Sequence, residues 1–227
     1  PGVAAAYGLN ATELYGKLLT EPDLVVDVNG RLHYADPAPE LSPEDPGEAS
    51  GAPATTVAAA AAVPLADAFT LHSRPGSSLT VYLDFNGHLI TGTGWNASYN
   101  GGANIVAPAF DLDGAPATFS DAERNVIIET WQRVAEDYAP FDVDVTTELT
   151  SESLLTRAST SDTVFGTRVL ISAISQYFGN YGGIAYVGAF DDVGDTYKPA
   201  LVFPENLGNS AKNIAEAATH EVGHNLG

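Results

Sequence analysis

His220-Glu221-Val222-Gly223-His224-Asn225-Leu226-Gly227 is the stretch on which the reading of this 227-residue sequence turns. Two histidines four positions apart return to nearly the same face of a helix about one turn later, so their imidazoles can share one ion. Zinc–nitrogen bonds of about 2.0–2.1 Å let the two rings converge on one point without distorting the helix. Glu221 stands beside that point. There its carboxylate can take a proton from a water made acidic by the ion and later pass it to a leaving amine. Upstream, Asn209 or Ser210 offers a cap, and Ile214, Ala217 and Ala218 lead into the pentad at helical spacing. The pattern points to metal-assisted hydrolysis with His220 and His224 as ligands and Glu221 as general base.

Working back from this helix, the sequence predicts strands at 200–203, 183–190 and 168–172, each rich in β-branched or aromatic residues. Phe141 to Thr147 alternates apolar with polar residues as a half-buried strand does. Before it, Ser120-Asp121-Ala122-Glu123 has the reciprocal capping form, and Val126, Ile127, Trp131, Val134, Ala135 and Tyr138 follow on one face of a helix that Pro140 closes. Leu79 to Phe85 reads as another strand, and the Gly-, Asn- and Ser-rich residues after it, to about Asn104, read as a long loop. The predicted order over 79–227 is strand, helix, four strands, helix.

The front of the chain differs. Leu14, Leu18 and Leu19 sit at helical spacing, and two β-like runs, 24–28 and 31–35, flank Asn29-Gly30, a dipeptide suited to the two positive φ values of a tight hairpin. Residues 1–35 thus read as a small helix-hairpin module. Residues 36–78 carry six prolines by Pro64 among Ala, Glu, Ser and Gly and read as a linker.

Composition narrows the functional classes. With 44% hydrophobic and 17% charged residues the chain is globular rather than disordered. A net charge of −20 repels phosphate backbones and anionic lipid heads, which argues against nucleic acid and membrane partners. There is no cysteine, so any metal site uses nitrogen and oxygen ligands. Asp111-Leu112-Asp113-Gly114 has part of the spacing of a calcium loop but lacks its remaining acidic positions, so calcium has weak support and a solvated turn is the plainer reading. His33, His72 and His88 fall on a hairpin, a linker exit and a strand-end loop, and none is expected as a ligand.

Residues 220–227 resemble the first eight positions of the metzincin pattern His-Glu-x-x-His-x-x-Gly-x-x-His, with Gly227 at the turn-forming glycine. The resemblance covers about 79–227. It implies an α/β (α+β) fold: a metzincin-like N-terminal subdomain with a twisted, mostly parallel sheet of about five strands and two long helices, preceded by the small module. It implies a Zn2+ cofactor and a protein or peptide substrate. It also implies an endopeptidase that hydrolyses peptide bonds by metal-activated water, secreted from a bacterium. Ile184, Ala185, Tyr186 and Val187 are similar to the edge strand above the family's cleft, where an extended substrate would add as another strand. The leading module then reads as a pro-segment, and in some relatives an aspartate of such a module caps the metal; the sequence does not say which aspartate would do so here. The family's third ligand would fall three positions past Gly227, so the expectation is a truncated chain, or else an incomplete site in a binding or structural module.

Overall fold

The computed structural model describes residues 2–40 and 63–227, so most of the predicted linker lies outside the described residues. In chain order the elements are helices α1 (Gly2–Ala6) and α2 (Ala11–Thr20), strands β1 (Leu24–Val26), β2 (Leu32–Pro37), β3 (Leu79–Asp84) and β4 (His88–Ile90), and helix α3 (Gly94–Tyr99). Then come β5 (Ile105–Ala107), α4 (Asp121–Asp137), β6 (Asp144–Thr146), β7 (Phe165–Ile171), α5 (Ser175–Phe178), β8 (Tyr181–Tyr186), β9 (Ala200–Val202) and α6 (Ala211–Leu226).

Seven strands form one sheet in the order β1-β2-β8-β9-β7-β3-β6. Neighbours from β9 to β6 are parallel, and β8, β2 and β1 join antiparallel. The five strands from β8 to β6 are the expected mostly parallel sheet with two long helices, α4 and α6. Strands β1 and β2 extend it to seven.

Side-chain alternation along the strands divides the interior in two. Val81, Leu83, Val145, Val169, Ile171 and Val202 join Ile127 and Val134 of α4 and Ile214, Ala218 and Val222 of α6 in one core. Leu170, Ile184, Tyr186 and Leu201 point the other way and pack with Ile90, Trp95, Ile105 and Phe178. Helix α4 begins where its capping box predicts, with Ser120 N donating to Glu123 Oε2 at 2.6 Å. Helix α6 starts after Ser210, but the serine side chain makes no capping bond, and apolar burial of one face holds the helix instead.

Two local readings need correction. The predicted long loop after β3 contains β4 and α3, and β5 follows at its end, because polar side chains supply its bonds: Asn96 Nδ2 donates to the carbonyls of Ile90 and Ala103, and the buried Trp95 indole donates to that of Pro199. In the leading hairpin only Gly30 has positive φ (+80°), and Asn29 does not. The Asp27 carboxylate closes that turn by accepting from the N–H of Asn29 and of Arg31, which replaces the two-residue turn expected there. Farther on, β2 continues through Asp36 to Pro37, and Ala68 and Leu71 are buried in the main core. Among the described residues no helix is long and apolar enough to cross a membrane.

Candidate metal centre

Four anchors fix the rotation of α6 against the sheet. Gly188 and Phe190 donate their N–H groups to the carbonyls of His224 and Asn225, both at 2.9 Å. The buried Asn225 side chain donates to the Tyr186 carbonyl at 2.9 Å and accepts from the Thr167 hydroxyl at 2.7 Å. With the helix set this way, the Nε2 atoms of His220 and His224 lie 2.9 Å apart, as their spacing predicts. The His224 ring stacks on Tyr34 of β2 with centroids 4.2 Å apart.

A third donor comes from the end of β2, in what the sequence reads as the start of the linker. Asp36 Oδ1 lies 3.2 Å from His220 Nε2, and Asp36 Oδ2 lies 3.1 Å from His224 Nε2. Burial raises the Asp36 pKa, but the hydrogen bonds and charges of His224 and His220 outweigh it and hold the carboxyl below its usual range. Two imidazole nitrogens and a carboxylate are a donor set that zinc takes, and here they come within 4.8 Å of one another. The residues present therefore fit the ion.

Glu221 is fully buried beside them, and neither carboxylate oxygen has a hydrogen-bond partner among the described residues. Burial first, and then the neighbouring Asp36 carboxylate, push its pKa well above the ordinary glutamate value, which makes it a stronger base when ionised. A cleft of about 290 Å³ opens next to it, bordered by Pro37, Leu207, Glu216, Ala217 and His220.

Ile184 to Val187, expected as an edge strand open to substrate, are already paired. Strand β2 runs antiparallel along β8, opposing Ala35 to Ile184, Tyr34 to Ala185 and His33 to Tyr186, and Val187 N donates to the Leu32 carbonyl at 3.0 Å. Arg31 clamps the same rim through the carbonyls of Val187 and Gly188 and the carboxylate of Asp192, and the Tyr186 hydroxyl donates to Asp27 at 2.9 Å.

The other histidines lie apart from this cluster, and His88, expected in a strand-end loop, begins a strand. His33 is buried against Trp95, Tyr99 and Tyr186, His72 sits between Asp144 and Glu148, and His88 lies on β4. The carboxylates of Asp111, Asp113 and Glu123 approach one another, but Asp111 Oδ1 accepts from three backbone N–H groups and Glu123 serves its capping box and the N–H of Leu112. Sequence reasoning missed Asp36, which nothing distinguishes from the chain's other aspartates.

Comparisons with curated proteins and with solved structures find no match. Residues 120–227, from the cap of α4 through α6, match the family model described as Metallo-peptidase family M12B Reprolysin-like, and this likeness supports a zinc metallopeptidase of the metzincin kind.

Proposed function

We propose that the protein is a zinc-dependent endopeptidase whose leading module is a pro-segment that keeps it latent. The observation that carries the reading is the convergence of His220 Nε2 and His224 Nε2 at 2.9 Å with the buried Glu221 beside them. A zinc ion held by the two imidazoles would supply Lewis acidity, raising the acidity of water and polarising a peptide carbonyl. Glu221 takes the proton from the attacking water on its carboxylate and delivers it to the leaving amide nitrogen. The backbone of β8 from Ile184 to Val187 holds the substrate as an added strand once β2 has left. Until then β2 occupies that edge, and the Asp36 carboxylate beside the two imidazoles would compete with water or substrate for the ion. The reading includes export from a bacterial cell, which the resemblance of residues 220–227 to the metzincin pattern implies.

The test uses zinc in excess and Asp36→Ala to open the site. This protein should cleave denatured casein, and adding Glu221→Gln should slow cleavage by roughly 100-fold or more while one zinc per chain remains. A Glu221→Gln protein that keeps activity within a few-fold would reject the role of Glu221. Failure of His220→Ala to lower zinc binding would reject the metal site.

A further inference from the structure

Gly183 lies inside β8, opposite Asp36 of β2 on one side and Val202 of β9 on the other. A Cβ placed on it would stand 2.3 Å from Glu221 Oε1 and 2.7 Å from Cγ and Cδ of the same side chain, far inside van der Waals contact. Neither backbone is free to give way. Strand β8 is bonded on both edges, and α6 is tied to the sheet through His224, Asn225 and Thr167. Ala185 lies two residues on, shares the face of Gly183 and is fully buried with its Cβ in place, so the need for glycine is local to one position. Glycine inside a strand weakens it, and a compensating reason is expected.

We propose that Gly183 is a positioning residue for peptide hydrolysis: its missing Cβ forms the recess in which the Glu221 carboxylate lies at the metal centre. The proposal rests on the reading of Glu221 as the base. Alanine at 183 leaves only the Glu221 side chain to move, and the carboxylate swings away from the attacking water without loss of either imidazole.

Two measurements separate this contact from a general weakening of the strand. In a double-mutant cycle on the full chain, Gly183→Ala should lower the melting temperature by roughly 5 °C when Glu221 is present. In the Glu221→Ala background it should lower it by no more than about 1 °C, because the recess is then empty. Equal losses in both backgrounds overturn the proposal. For activity, Gly183→Ala in the Asp36→Ala protein should reduce kcat by about 100-fold with KM little changed and one zinc per chain retained. A folded Gly183→Ala enzyme that turns over at the parent rate also overturns it. If the Asp36→Ala protein with zinc in excess hydrolyses no peptide at all, the peptidase reading fails, and Gly183 has no part in hydrolysis whatever the melting cycle says of the contact.

Discussion

Asp36 Oδ2 lies 3.1 Å from His224 Nε2, joining two residues 188 positions apart. No local preference brings them together; the pairing of β2 with β8 does. The strand runs antiparallel to β8 and puts Asp36 opposite Gly183, directly over Glu221. Replacing Asp36 with alanine removes one of three converging donors and the contacts that hold β2 to His220 and His224, so β2 leaves β8 more readily. Zinc affinity should fall by at least about 10-fold, since even indirect partners of ligands are worth that much. With zinc in excess, cleavage of casein should rise. Unchanged zinc affinity together with unchanged cleavage would show that β2 is not the lock.

His33 gives the docked module a pH dependence of definite sign. Burial lowers its pKa from 6.5 to about 4, against the opposing charge of Asp27, because the ring sits among Trp95, Tyr99 and Tyr186 and only Nε2 finds a partner, the Tyr99 hydroxyl at 2.7 Å. The folded state therefore resists a proton that the unfolded chain accepts. The contribution is fully present above pH 6.5 and is lost as pH falls toward 4, an effect on the order of 3 kcal/mol. Melting curves of the parent and His33→Phe proteins should diverge in their pH dependence across that window. Parallel curves would mean that His33 does not titrate in the packed aromatic cluster.

Much of this arrangement was legible because it is written in local patterns. The capping box at Ser120, the helical stripe from Val126 to Tyr138 and the four-residue spacing of His220 and His224 each state their geometry within one element. What escaped depends on contacts between distant elements. Strand β4 and helix α3 look like a loop because one of the bonds that hold them, from the Trp95 indole to the Pro199 carbonyl, spans 104 positions. The free edge expected at β8 is covered by a strand from the front of the chain, which no periodicity in 183–190 could foretell. Asp36 acquires its place only through that pairing, and its neighbours Pro37 and Pro39 made it look like linker.

Asn225 provides a separate test of how the helix presents its ligands. It follows His224 by one position, about 100° around the helix, so its side chain turns into the sheet while the imidazole faces the cleft. There it is fully buried and bridges Thr167 of β7 to the carbonyl of Tyr186 in β8. Alanine at this position would leave the Thr167 hydroxyl and the Tyr186 carbonyl without their partner in a dry interior, at a cost of about 2–4 kcal/mol. The last turn of α6 would then be held to the sheet only by the backbone bonds from Gly188 and Phe190. Urea unfolding should show the lost stability, and a zinc titration should show roughly 10-fold weaker binding although no ligand has changed. Full stability with Asn225→Ala would mean that packing of Ile214, Ala218 and Val222 alone sets the helix. Lost stability with unaltered zinc affinity would separate folding of α6 from presentation of His220 and His224.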